Sequence, residues 1–212
     1  MIPPAEDTGE DTARATARRT GSSFYAAMRL MPASRRGAIY AIYDFCRAVD
    51  DIADGPLTAA AKRERLDRWR ADIQRVCDGQ GEHPIARALA VAVRAHGLDK
   101  ADLLAVIDGV AMDAEGTMRA PSRARLDRYI DGVACAVGRL AVKVFGCPEA
   151  EGLALAAVLG RALQLTNILR DLDEDARAGR LYLPGELLEA HGIAPDDPAA
   201  VLRHPALPAA CG

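Results

Sequence analysis

The chain has 212 residues, half of them hydrophobic and 27% charged, with a formal net charge of -3 and only 4% aromatic residues. That length and balance fit one globular domain with a sizeable core and exclude global disorder. The slight negative charge predicts no broad attraction to nucleic acid. The run Lys62-Arg63-Glu64-Arg65 is interleaved with acid, as on a solvated helix face.

Cys46, Cys77, Cys135, Cys147 and Cys211 form no CxxC pair, and no histidine lies at zinc-ligand spacing. Reduced thiols in a cytoplasmic protein are the expectation. Residues 1–10 are acidic and lack the apolar core of a signal peptide. The longest apolar run, residues 152–160, lies between Glu151 and Arg161 and is too short to cross a bilayer.

In chain order, residues 1–20 are acidic and then basic, and read as a mobile arm. Ser22 or Ser23 can cap a helix running towards Met31, where Pro32 stops it. A helix over residues 34–54 is halted by Gly55-Pro56, and Thr58 caps another to about residue 78. Gly79-Gln80-Gly81 breaks the chain. The next helix starts at Pro84 and ends at Gly97, a good C′ glycine.

Asp99 caps a helix through Leu103, Ile107 and Val110, and residues 116–121 form a loop. Ser122 starts a long helical region to about residue 145, and Pro148 precedes the last strong helix, over residues 150–173. No β-type alternation and no internal repeat occurs. The fold class is all-α, with residues 21–192 as the helical domain. Residues 193–212, rich in Pro and Ala, read as an irregular tail. His83, His96, His191 and His204 sit near breaks and receive no role.

Two acidic clusters carry the chemistry. In YDFCRAVDDIAD (residues 43–54), Asp50 and Asp54 share one helix side, Asp51 flanks them, and Arg47 and Tyr43 precede them at one-turn steps. In QLTNILRDLDED (residues 164–175), Gln164, Asn167, Asp171 and Asp175 form one polar line between leucines and isoleucine. Stacked like charges are destabilising on a helix, and polar groups in an apolar helix are costly to bury unpartnered. Mg²⁺, which takes hard oxygen ligands and keeps places for phosphate, offers a reason for both lines. A lone DDxxD is more often an exposed acidic face, but the pair makes a diphosphate site the better reading.

These residues resemble the squalene/phytoene synthase family. SFYAAMRLMP with AIYAIYDFCRAVDDIAD (within residues 23–54) is similar to its first signature, and GRALQLTNILRDLDEDARAGRLYLP (160–184) to its second. VIDGVAMDAEG (106–116) and YIDGVACAVGRL (129–140) also match. The wording is closest to the bacterial presqualene diphosphate synthases of hopanoid biosynthesis.

The resemblance implies a class I isoprenoid synthase bundle that condenses two farnesyl diphosphates head to head, with Mg²⁺ (or Mn²⁺) and without NADPH. It implies metal binding by Asp50, Asp51, Asp54, Asp171 and Asp175, with Arg47 and Arg170 on diphosphate oxygens and Gln164 and Asn167 beside them. Arg180 and Tyr182 match a flap over the diphosphate. Tyr129 matches a tyrosine that assists ionisation or proton removal, and Val133 and Val137 would line the prenyl channel. Tyr129, Tyr43, Val133 and Val137 read equally well as packed core residues, and Asp108 and Asp113 as helix-end carboxylates near the site.

Family members continue for further helices after the flap, so a bundle lacking its C-terminal helices and exposing apolar surface is expected. A lipid-like substrate also makes peripheral contact with the inner membrane an expectation. Two alternatives are a phytoene or dehydrosqualene synthase, and a non-catalytic assembly protein that kept the fold.

Overall fold

The computed structural model describes residues 28–116 and 118–211. The expected mobile arm and most of the expected first helix lie outside the described residues. Among those described, the chain is helical, with one isolated bridge between Arg119 and Leu181 and no strand.

Helix α1 (Ala33–Asp54) begins after Pro32, where Arg36 donates to the Met31 carbonyl at 2.8 Å, and stops at the extended Gly55. Its inner face buries Ile42, Phe45, Val49 and Ile52. Helix α2 (Ala59–Cys77) is capped by Thr58, whose hydroxyl accepts from the Ala61 amide at 3.3 Å. Trp69 of α2 meets the edge of Phe45, with ring centroids 5.4 Å apart. Helix α3 (Pro84–His96) starts on the His83 side chain and ends on left-handed Gly97.

Helix α4 (Lys100–Ala114) runs through the centre, against α1, α2 and the segment after Ser122. The Asp99 side chain does not cap it, contrary to expectation. It accepts from Lys143 at 2.6 Å instead, a charge-assisted bond that outcompetes a neutral amide.

The long helix expected from Ser122 is interrupted. Helix α5 (Arg123–Ile130) passes through a π turn (Asp131–Cys135) into α6 (Ala136–Phe145). Two contacts fix this turn. A Cβ on Gly132 would lie 2.6 Å from the Ala105 carbonyl oxygen and 2.9 Å from the Gly109 Cα, so the π turn touches the α4 backbone. Arg139 then donates to Asp131 at 2.8 Å and to buried Asp102 of α4 at 2.6 Å.

Helix α7 (Glu149–Arg170) packs on α6 and the π turn, and a Cβ on its Gly160 would lie 2.9 Å from the Cys135 Cα. By length and composition, α7 could cross a membrane, its most apolar 18 residues having a mean hydropathy of 1.4, unlike its uninterrupted apolar run taken alone. Leu155, Val158, Leu159 and Leu163 are exposed along it. Arg161 of α7 pairs with Asp127 of α5 at 2.7 Å.

The helix expected to continue to residue 173 breaks at Asp171, and α8 (Leu172–Arg177) follows. Hydrogen bonds from the Asp171 amide to the Asn167 carbonyl and from the Asp175 amide to the Asp171 carbonyl, both 2.9 Å, carry the helical spacing across the break.

The last residues depart from the irregular tail expected. Helices α9 (Gly185–Ala190), α10 (Pro198–Leu202) and α11 (Leu207–Cys211) follow, and Ile193, Val201 and Ala210 are buried with Leu181, Leu183 and Leu188. Asp197 caps α10 by accepting from the Ala199 amide at 2.9 Å, and Pro198 stands first in the helix. A proline there starts a helix rather than breaking one. All five cysteines are free.

Gly132→Ala should destabilise the chain by about 1–3 kcal/mol, since the new methyl meets backbone rather than a movable side chain. Gly37→Ala in α1, where a Cβ meets nothing within 4 Å, should stabilise by about 0.5–1 kcal/mol. Urea unfolding of both variants checks this, and a neutral Gly132→Ala would contradict the close packing.

Candidate active site

Both acidic lines face one cavity of about 400 Å³. Helix α1 contributes Arg47, Asp50 and Asp54, and the α7–α8 stretch contributes Gln164, Asn167, Arg170, Asp171 and Asp175. Asp113 at the end of α4, Tyr129 of α5, and Arg180 and Tyr182 after α8 complete the polar wall. Val110 and Ile168 are apolar residues in the same lining. A second cavity, of about 250 Å³, adjoins it through Asp54, Asp113 and Arg180 and includes Lys62. Lys62 Nζ donates to the Ala53 carbonyl, so one member of the charge run read as solvent-facing holds the end of α1.

The acids are partly withdrawn from water and crowd one another. Burial pushes the Asp50 carboxyl up to about 6, against the pull of Arg47 and with further upward push from Asp54, Asp113 and Asp51. Asp175 is likewise raised to about 6, mainly by burial, with Arg180 opposing and Asp171 and Asp113 adding. Asp171 goes the other way, because the Arg170 guanidinium donates to both its oxygens, at 2.7 and 2.6 Å.

Arginines bridge the cluster. Arg180 Nη1 donates to Asp54 at 3.1 Å, and its Nε lies 3.5 Å from Asp175, so one guanidinium joins the two acidic lines. Arg47 donates to Asp51 at 2.9 Å.

A tyrosine pair backs the site. Asp113 accepts from Tyr129 at 2.9 Å and from Tyr182 at 2.6 Å, and the two rings stack with centroids 5.0 Å apart. The segment carrying Tyr182 is pinned by the Leu181 amide donating to the Met118 carbonyl at 2.9 Å, and by the Ala120 amide donating to the Leu181 carbonyl at 2.7 Å.

Several expected site residues fall elsewhere. Asp51 is 64% exposed and outside the cavity lining, because the burial of Val49, Ile52 and Ala53 turns it away. Tyr43, Val133 and Val137 are packed against the main apolar core and are not in this lining. Asp108 accepts from Arg70 of α2 at 2.7 Å and is not in the cavity lining. Asp113, expected only near the site, is central to it; its spacing before a glycine loop gave no sign of two tyrosine partners.

Asp50, Asp54, Asp171 and Asp175 offer oxygen donors only, the chemistry of a hard divalent cation. Among the described residues no three acids, histidines or cysteines are gathered closely enough to cage an ion by themselves.

An all-helical bundle with two facing acidic lines defines a class, and comparison with known proteins names it. The squalene/phytoene synthase family model matches residues 17–211, and the chain belongs to that family. It is 51% identical to a presqualene diphosphate synthase of Rhodopseudomonas palustris, over 90% of this chain and 68% of that protein. With a presqualene diphosphate synthase of Sinorhizobium fredii the identity is 50%, over 95% and 73%. A chloroplastic phytoene synthase of Daucus carota is 39% identical, over 82% and 45%. The crystal structure of a squalene synthase from Alicyclobacillus acidocaldarius superposes with a TM-score of 0.82 at 28% identity, covering 91% of this chain and 72% of that one. The fold is that of the class I isoprenoid synthases.

Asp44 of α1 gives a clean test of the electrostatics. It is 8% exposed, its Oδ1 has no hydrogen-bond partner among the described residues, and burial raises it from 3.8 to about 6. A carboxyl raised on folding binds more protons in the folded state between those two values, so its ionisation costs stability as pH rises through them. Asp44→Asn should therefore raise the unfolding midpoint at neutral pH, with the gain shrinking by about pH 4. A gain independent of pH would contradict the assignment.

Proposed function

We propose that the chain is a prenyl transferase that joins two farnesyl diphosphates head to head, giving presqualene diphosphate and free diphosphate. The observation that carries this is the single cavity shared by both acidic lines, Asp50 and Asp54 on one side and Asp171 and Asp175 on the other. The relatives at about half identity, named presqualene diphosphate synthases, support the choice of substrate and product.

Asp50, Asp54, Asp171 and Asp175 would hold Mg²⁺, with Gln164 and Asn167 beside them. Mg²⁺, when bound, supplies positive charge against a departing diphosphate. Arg47, Arg170 and Arg180 line the same cavity and present planar forks suited to diphosphate oxygens. Each exchanges a carboxylate partner for phosphate oxygen as substrate enters. Tyr129, buried in the lining of this cavity, would take up the proton whose loss closes the cyclopropane as its own proton passes to Asp113. Val110 and Ile168 help to keep water from the allylic cation, which water would quench.

Incubation of the purified chain with farnesyl diphosphate and Mg²⁺, without NADPH, should yield presqualene diphosphate. Chelation of the metal should abolish the product. Phytoene-type or dehydrosqualene products would move the assignment within the family. Asp50→Asn and Asp171→Asn should each lower turnover by at least about a hundredfold while far-UV circular dichroism stays unchanged. Turnover near the parent's in either variant would overturn the metal assignment.

A further inference from the structure

We propose that Asp113 is a positioning residue for this reaction, one carboxylate that holds Tyr129 and Tyr182 as a unit. This rests on the prenyl-transfer reading above. Three separate parts of the chain meet at this group: the last turn of α4, helix α5, and the segment after α8. Oδ2 accepts from Tyr129 at 2.9 Å and Oδ1 from Tyr182 at 2.6 Å, so each oxygen serves one phenol. The rings stack at an interplanar angle of 24° and are 6% and 5% exposed, which leaves them little freedom to turn.

The consequence is chemical as well as mechanical. A phenol has one proton and two acceptor lone pairs. With both protons directed at Asp113, the two oxygens keep only acceptor capacity for anything in the cavity. Tyr129 is thereby aimed to accept a proton as its own passes to Asp113 Oδ2, and not to donate one to the diphosphate. Tyr182 is fixed two residues beyond Arg180, the guanidinium that bridges Asp54 and Asp175. Loss of Asp113 would free both the proton acceptor and the segment that carries the bridging arginine.

A buried acid that merely satisfies two hydroxyls would affect stability and leave the partition of kinetic effects unchanged. A double-mutant cycle in kcat separates the two roles. Asp113→Ala and Tyr129→Phe should each lower kcat by about a hundredfold with KM within about threefold, and the double variant should fall no more than about threefold below the worse single. Asp113→Asn serves if the alanine variant does not fold. Its amide offers oxygen to one phenol and N–H to the other, so it should fold, reverse one hydrogen bond and still lose about tenfold in kcat. Multiplicative losses in the cycle, or Asp113→Asn within about twofold of the parent, would overturn the proposal.

A parent chain without turnover would count against the proposed reaction and not against the unit. The unit is then read in urea unfolding, where the losses from Asp113→Asn and Tyr182→Phe must be non-additive. Additive losses overturn it there too.

Discussion

Repulsion among carboxylates gathered around one cavity is the constraint on which the rest of this structure turns. Asp50 and Asp54 reach it from α1, and Asp171 and Asp175 from the α7–α8 stretch, with Asp113 between them. Burial lifts Asp50 and Asp175 towards neutrality, and their neighbours push in the same direction. Arg47, Arg170 and Arg180 offset that charge, and Arg180 does so across both acidic lines. A site poised this way has much to gain from a divalent cation and an anionic substrate together, because each supplies charge that the other requires.

Holding such groups in register requires a stiff frame, and the frame is built from close backbone contacts. Gly132 lies against α4 and Gly160 against the π turn, so α4, the turn and α7 stack with no side chains between them at those points. Arg139 clamps the turn to Asp102 and Asp131. Tyr129, just before the turn, and Gln164 and Asn167, just after Gly160, inherit their positions from this stack. The same logic explains why the break at Asp171 does not disperse the second acidic line: the backbone spacing from Asn167 to Asp175 is preserved through it.

Much of this was legible in the sequence, for definite reasons. Helices α1 to α3 begin and end where proline, threonine and glycine signals put them, because those are local effects of backbone geometry. The two acidic lines were legible because helical spacing alone places Asp50 with Asp54 and Asn167 with Asp171. What depended on tertiary contact was not. The π turn follows from glycine meeting a neighbouring helix, the ordering of residues 193–211 from burial of Ile193 and Val201, and the exclusion of Asp51 from the rotation that core packing imposes on α1. Asp113 shows the limit most clearly: its two partners come from elements 16 and 69 residues away.

The central claim, that the two acidic lines act together on one diphosphate, is tested most directly by Mn²⁺ binding. Electron paramagnetic resonance would follow Mn²⁺ uptake with and without an unreactive thio analogue of farnesyl diphosphate. Mn²⁺ should bind far more tightly with the analogue present, and Asp54→Asn and Asp175→Asn should each remove that enhancement. Enhancement that survives the loss of either line would contradict the account.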